Sequence, residues 1–462
     1  MYPQQEMKLF RVVFLAAILL LAERLQAQSP GTLDTNYVTL ANTDVLPQAV
    51  IALADGRIYA GGNFTNYGGV GRSGLVRLNA SGTLDTSFSL PAPLKTIAGV
   101  THPDGVLAVV VRADGRIVII GAFTHLGAQK LPVDQIALIN PDGTVADFAP
   151  ELYKGAPGVL LNGPGNTVYI GVSRNVVDAD KPIFQRLNAD GSNDASFAAP
   201  SVASLHQDFN VGVVRALLHG PGDTIYAVIG SLNLEVIRLT STGALDATFA
   251  DGGRATLGTA GQQLYSTTLS GQLLLSGLGH SYRGQTLPYS LTRITLGGAI
   301  DASFVPPAGL TVSGAAVVQT DNKLLVVIVS VTGGTSVLTR LNENGSRDSS
   351  YVDPGKVPVN QLAFVTGRLV VAPDGSAFVS AFGFNAQFQQ VVGIYHIFGD
   401  ALSSKLGFSP IPGGGFQLAW PVGYKLQHTP TLLPPNWQDT GAISPVTEPT
   451  PDKTGYFRLV SI

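Results

Sequence analysis

The sequence predicts an all-β protein: a seven-bladed β-propeller of four-stranded antiparallel blades, followed by a small C-terminal β-module. Two observations carry the prediction. The first is a phrase of Gly, two residues, Asp, two residues and an aromatic. It stands at Gly31–Tyr37, Gly82–Phe88, Gly191–Phe197, Gly243–Phe249, Gly298–Phe304 and Gly345–Tyr351, with a copy one residue short at Gly143–Phe148. Its aspartates, Asp34, Asp85, Asp147, Asp194, Asp246, Asp301 and Asp348, recur at roughly fifty residues, the period of a propeller blade. The second is a tight-turn pair once per unit: Asp55-Gly56, Asp114-Gly115, Gly165-Asn166, Gly222-Asp223, Ser270-Gly271, Asp321-Asn322 and Asp374-Gly375. Each lies between short apolar runs. Gly, Asn and Asp tolerate positive φ, so each pair reads as a two-residue hairpin turn.

The elements follow in a constant order. In the first full unit, Val50–Leu53 and Arg57–Ala60 are the first and second strands. A longer loop from Gly62 to Gly74 leads to the third strand, Leu75–Leu78, and a turn at 80–82 to a fourth carrying Leu84, Asp85 and Phe88. The Arg-Leu of the third strand returns as Arg186-Leu187, Arg238-Leu239 and Arg340-Leu341, with Arg293-Ile294 as a variant. The first Asp mark precedes any turn pair, and the last turn pair is followed by no clear mark. Leu33–Tyr37 is therefore expected to supply the fourth strand of the last blade and close the ring without a long open edge. A degenerate strand at Gly399–Leu402 is the competing closure.

Composition agrees with many short strands and turns. The 462 residues include 54 Gly and 29 Pro, with 45% hydrophobic and only 13% charged residues. There is no cysteine, which excludes disulfides, thiolate metal sites and a cysteine nucleophile. A net charge of −3 gives no general draw toward nucleic acid. Lys8 and Arg11 precede the apolar run Val12–Ala22, too short to span a bilayer comfortably, and Ala27 precedes Gln28. Residues 1–27 are thus expected to be a signal peptide, and the mature product to be secreted, periplasmic or on the cell surface, with no membrane-spanning segment. The β-propeller is expected over 31–402, a Pro/Gly-rich linker over 403–415, and the C-terminal module over 416–462, where Phe416–Trp420 and Tyr424–Gln427 alternate like half-buried strands.

The pattern Asp-Gly-Arg-Ile, Gly-Gly-Asn-Phe and Arg-Leu-Asn-x-x-Gly-x-Leu-Asp-x-x-Phe, clearest over 50–88, resembles the delta-60 repeat, a β-propeller repeat of secreted bacterial proteins. The resemblance covers roughly residues 31–400. It implies the fold and brings no established catalytic residue or ligand.

No catalytic, cofactor-binding or metal site is legible. One isolated Asp per unit does not make a calcium loop, which needs several converging oxygens. The expectation is that each Asp accepts hydrogen bonds at its turn while the aromatic packs between blades. His102, His125, His206, His219, His280, His396 and His428 show no metal spacing. Neither a nucleophile elbow nor a phosphate loop is present. Two functions remain. One is a noncatalytic binding or scaffold module for an unknown protein or carbohydrate ligand. The other is a polysaccharide enzyme using carboxylates near the central channel, with Asp134, Asp178 and Asp180 as candidates. For binding, the long, dissimilar loops between second and third strands are the candidate face. They carry Phe64, Tyr67 and Arg72; His125 and Lys130; Arg174 and Asp178; Tyr282 and Arg283; Phe384 and Phe388.

Overall fold

The computed structural model describes residues 30–34, 36–37, 47–97, 100–127, 131–132, 135–150, 152, 157–172, 182–205, 214–230, 234–258, 264–268, 270–276, 281–287, 289–319, 321–329, 336–352, 365–372, 375–384, 390–399, 407–410, 416–419, 424–429, 438–439, 446–448 and 456–461. The expected signal peptide and the rival closure at Asp400–Leu402 lie outside them.

One arrangement repeats along the chain: an inner, a middle and an outer strand, antiparallel and hydrogen-bonded in sequence order. The first sheet is Ala49–Ala52, Ile58–Gly61 and Leu75–Leu78; the second is Val106–Val111, Ile117–Gly121 and Ile136–Ile139. Pro157–Asn162, Val168–Val172 and Phe184–Leu187 follow, then Val214–His219, Ile225–Ile229 and Leu234–Leu239. Next come Leu264–Thr267, Leu273–Ser276 and Leu291–Ile294, then Val312–Val318, Leu324–Val329 and Ser336–Leu341. Val365–Val371, Ala377–Phe384 and Gln390–Ile397 end the series.

Each inner strand touches the next inner strand in this order, and Val365–Val371 touches Ala49–Ala52. The sheets therefore close a ring with their first strands innermost, which is the architecture of a β-propeller. The middle strands have a neighbouring sheet on both faces, so they are apolar throughout rather than alternating. Ile117–Gly121 and Ile225–Ile229 are buried at every position. The core accordingly lies between sheets. Tyr59 and Leu75 of the first sheet pack with Ile117, Ile119 and Ala137 of the second, and Ile58 and Val76 pack with Phe378 and Ile394 of the last.

The fourth segment is held more sparsely than a strand. It joins the outer strand by one bridge, as at Leu78–Leu84 and Leu239–Leu245, plus a bond from the Asp amide to the Arg carbonyl, as from Asp85 to Arg77. The ring closes through the N-terminal segment as expected. Leu33 bridges Ile397, Gly31 N donates to Phe398 O, Phe398 N to Thr32 O, and Asp34 N to His396 O.

The turns correct one detail. Among the turn pairs described in full, only Gly165-Asn166 and Gly222-Asp223 place two successive residues at positive φ, as a type I′ turn requires. At Asp55-Gly56 the loop holds three residues. Leu53 N bonds Arg57 O, Gly56 N bonds Leu53 O, and Gly56 alone takes φ +81°. Asp55 Oδ1 accepts the Arg57 amide, which favours this longer turn.

The repeat glycine has its own reason. Gly243 sits at φ +92°, and a Cβ there would come within 2.9 Å of the Ala198 carbonyl carbon in the preceding repeat.

Some elements were not anticipated. Pro93–Ile97 and Val100–Pro103 form a hairpin that extends through His125–Leu126 to Leu131–Pro132. Arg254–Leu257 adds to the fourth sheet and pairs, through Leu257, with Tyr282 of the following repeat. In the C-terminal region Gly407–Pro410, assigned by composition to the linker, pairs with Phe416–Ala419, which pairs in turn with Val446–Glu448. A second sheet joins Tyr424–Thr429 to Gln438–Asp439 and Tyr456–Ser461.

Candidate functional site

The repeated Asp and Arg meet. Arg77, Arg186, Arg238 and Arg340 each place Nε 2.7 Å from Oδ2 of Asp85, Asp194, Asp246 and Asp348, and Arg293 lies 2.8 Å from Asp301. The same Asp turns Oδ1 to the residue two positions on. Asp85 Oδ1 accepts the Ser87 amide at 2.9 Å and its hydroxyl at 2.6 Å, and Ser196, Thr248, Ser303 and Ser350 repeat the pair of bonds. The guanidinium then reaches into the next repeat. Nη1 of Arg77, Arg186, Arg238 and Arg293 donates to the carbonyls of Pro141, Ser241, Leu296 and Glu343 at 2.5–2.8 Å.

Each of these guanidiniums lies 4.9–5.2 Å from the ring of the repeat aromatic. Burial raises the Asp85 carboxyl, but the hydrogen bonds from Ser87 and Arg77 outweigh it and hold the pKa below the ordinary carboxylate value. These aspartates are thus structural, with both oxygens committed to joining strand, turn and neighbouring sheet.

The departures are informative. In the second sheet Leu138 stands where the others carry Arg, and its mark, Asp147, is exposed. Arg and Asp are lost together. Arg112 takes over the inter-repeat bond, donating Nη1 to Ala189 O and Nη2 to Asp114. In the last sheet the Arg is replaced by His396, whose Nδ1 lies 2.9 Å from Asp34 Oδ2 and whose ring stacks on Phe378. His396, unplaced by sequence reasoning, is the clasp of the ring.

The candidate loop residues divide. Phe64 and Tyr67 are buried, packed edge to face at 5.3 Å. Tyr282 is buried and donates to Gly298 O, and His125 is buried with Nδ1 3.0 Å from Thr124 Oγ1. None of these side chains is presented to a ligand. The loops carrying them fold back as short hairpins, Asn66–Tyr67 with Val70–Gly71 and Ser281–Tyr282 with Gln285–Thr286, and use the aromatics as their own core. Arg283 is exposed and paired with Asp251 at 2.5 Å, clamping adjacent repeats. Arg72, half-buried, donates its amide to Thr65 O within the first loop. Phe384 ends a middle strand opposite Gln390. Lys130, Asp134, Arg174, Asp178, Asp180 and Phe388 lie outside the described residues.

The same face carries residues that sequence reasoning missed. Several inner strands bulge at one level, near the end away from the hairpin turns, which is the end where the long loops begin. Register shifts between Val106 and Ala108, Val214 and Ala216, and Thr366 and Leu369 leave Leu107, Arg215 and Arg368 outside the ladder. All three are exposed, Leu107 at 42%. Arg215 Nε donates to Gly230 O at 2.8 Å. Arg368 donates Nε to Gln48 O and its amide to Ser380 Oγ, and that hydroxyl reaches Pro47 O. Solvent reaches Arg368, yet surrounding protein desolvates it enough to lower its pKa, the combination expected in a cleft. No hydropathy pattern marks a bulge, so only pairing in the sheet exposes these positions.

On the opposite face a cleft of about 540 Å³ opens between the first and second sheets over Arg57, Arg77, Ser87 and Asp142. Its arginines are paired with Asp55 and Asp85. Among the described residues no cluster of His, Asp or Glu could hold a metal ion, and no helix is long and apolar enough to cross a membrane.

A search of curated proteins finds no match. Among solved structures, a streptogramin B lyase is similar over 78% of this chain and 97% of its own, at 12% identity and a TM-score of 0.48. The polysaccharide lyase Uly1 covers 81% and 94% at 12% identity and a TM-score of 0.46, and the GH74 xyloglucanase from Xanthomonas campestris covers 85% and 59% at 15% and 0.42. At such scores the likeness says nothing of activity. The family described as a domain of unknown function (DUF5122) beta-propeller matches residues 53–88, 112–145 and 319–351. The first and third segments span the turn pair, the Arg and the Asp mark, the second spans the turn pair and Leu138 and stops short of Asp147, and the matches identify these segments as β-propeller repeats of the delta-60 type.

Proposed function

We propose that this protein is an exported, noncatalytic β-propeller of seven blades that binds a protein or glycan ligand at its long-loop face. Each blade would comprise the three hydrogen-bonded strands and the bridged fourth segment, with 31–402 as the ring and the chain from Gly407 as the C-terminal module. The observation that carries the reading is a division of labour. The polar residues that repeat, Arg and Asp with Ser or Thr, are committed to joining repeats. Three exposed inner-strand residues that differ between repeats, Leu107, Arg215 and Arg368, lie at the long-loop end, while a fourth, His219, lies at the hairpin end. Variation on a rigid scaffold is where recognition collects.

No inner strand carries Asp or Glu, so carboxylates converging on the axis would have to come from loops. The test applies the purified full chain to glycan and peptide arrays, with a parallel assay for new reducing ends or unsaturated products on acidic and neutral polysaccharides. Saturable binding without turnover is expected. Turnover of any polysaccharide would overturn the noncatalytic reading.

A further inference from the structure

The cleft between the first and second sheets, on the hairpin-turn face, is lined by polar groups that the repeat bonds leave over. Arg57 and Tyr59 come from the first sheet and Asp142 from the second. Arg57 gives Nε and Nη2 to Asp55 Oδ2, while its Nη1 stands 4.0 Å from Asp85 Oδ2, beyond hydrogen-bond reach. Tyr59 accepts from Arg77 Nη1 at 3.2 Å, and its own hydroxyl hydrogen meets no acceptor among the described residues. Asp142 turns Oδ1 to the hydroxyl and amide of Thr144 at 2.7 and 2.9 Å, which leaves Oδ2 without a partner among the described residues. Those bonds, with a smaller contribution from the charge of Arg77, hold the Asp142 carboxyl below its ordinary pKa, so it is ionised at neutral pH.

This juxtaposition occurs once among the four described crossings of a repeat Arg to the next sheet. The residue that closes the hairpin turn is Arg57 in the first sheet, but Thr167, Thr224 and Gln272 in the third, fourth and fifth. The residue after the carbonyl that accepts the Arg is Asp142 here, and Thr242, Gly297 and Asn344 at the other crossings. The fold repeats without the pair, so the scaffold does not require it.

We propose that this cleft is a binding site for a neutral carbohydrate, on the face opposite the long loops and independent of the reading given for them. Arg57 with Asp55 and Arg77 with Asp85 are neutral pairs, which leaves the Asp142 carboxylate as the charge in the cleft without an ion-pair partner. An anionic ligand meets that like charge and brings no donor for Oδ2. An ammonium suits Oδ2 but offers no acceptor to Arg57 Nη1 or the Tyr59 hydroxyl. A sugar hydroxyl both donates and accepts, so hydroxyls along one edge of a ring serve Oδ2 on one wall and Nη1 on the other. The C–H face of the ring suits Leu53, Val111 and Pro141, the apolar part of the lining, and about 540 Å³ is within the range of small-molecule pockets. An extended peptide would need free main-chain groups, and the turns use theirs internally: Leu53 N bonds Arg57 O, Gly56 N bonds Leu53 O, and Gly115 N bonds Arg112 O.

The experiment is isothermal titration calorimetry of the full chain with maltose, cellobiose and lactose, each beside its uronic-acid and its 2-amino counterpart. A neutral disaccharide should bind, and its charged counterparts at least about ten-fold more weakly. Asp142→Asn should weaken binding by about ten-fold or more. It keeps the turn, because Asn344 makes the same two bonds to Ser346 in the sixth sheet. Arg57→Thr, which installs the residue of the third and fourth sheets, should weaken binding to the same degree. Asp190→Asn, the same exchange in the turn of the third sheet, should leave affinity unchanged. Melting temperatures accompany each variant.

Absence of binding by all three disaccharides at millimolar concentration overturns the proposal. So does tighter binding of a charged counterpart, or undiminished binding by the folded Asp142→Asn or Arg57→Thr variant. Disaccharide binding that these variants lose supports the cleft whether or not the arrays reveal a ligand for the long loops, so the two readings fail separately.

Discussion

Asp348→Ala should be the most damaging single change at a repeat mark. The carboxylate accepts from Arg340 Nε at 2.7 Å, from the Ser350 amide at 2.9 Å and hydroxyl at 2.6 Å, and it lies 3.2 Å from Lys323 Nζ. Burial raises its pKa, but these donors prevail and bring it down from 3.8 to about 2. A depression of that size corresponds to about 2 kcal/mol of folded-state stabilisation. The carboxylate side chain is only 8% exposed, so solvent screening removes little of this. Truncation to Ala also strands the Arg340 side chain, which is 0% exposed, without its counter-charge. Breaking a buried pair from one side costs about 3–5 kcal/mol.

Urea denaturation at pH 7 should therefore show Asp348→Ala destabilised by about 3–5 kcal/mol, and Asp348→Asn by less because an acceptor remains. The pH dependence has a definite sign. The folded pKa lies below the unfolded one, so the contribution is present above about pH 4 and is lost as pH falls toward 2. The gap between the parent and Asp348→Ala should narrow over that window. A cycle with Arg340→Met supplies the control, and the double variant should be less destabilised than the sum of the singles by about 2 kcal/mol. Additive singles, or an Asp348→Ala variant within about 0.5 kcal/mol of the parent, would refute a coupled buried pair.

Asp34→Ala and His396→Ala should each cost about 1–3 kcal/mol and couple to one another, since the half-buried pair closes the ring; independent effects in thermal melts would place closure elsewhere. Tyr67→Ala should lower stability by about 3–5 kcal/mol, measured by urea denaturation, because the ring fills a core position at 1% exposure; an unchanged melt would restore it to the ligand-facing set. Expression in an exporting host should yield a soluble product beginning near Gln28 by mass spectrometry; an intact Met1 on a membrane-bound product would reject cleavage.

The repeat marks, the order of strands within a unit and the route of ring closure were legible from the sequence, because each follows from local chemistry. Positive-φ residues end hairpins, apolar runs fill middle strands, and an Asp mark that precedes the first turn pair must join the last sheet. The pairing of Arg77 with Asp85, eight residues apart across an outer-strand turn, was visible only as two separate recurring residues. Antiparallel register brought them together, and the neighbouring repeat supplied the carbonyl of Pro141.

The long loops were legible in the sequence, but the placement of their side chains was not. Composition cannot distinguish an aromatic that greets solvent from one that a loop folds over to bury, and Phe64, Tyr67 and Tyr282 took the second course. Arg215 and Arg368 gave no signal in strands that are otherwise apolar. A bulge is a property of two strands in register, so tertiary structure alone decides that those arginines leave the ladder and meet solvent.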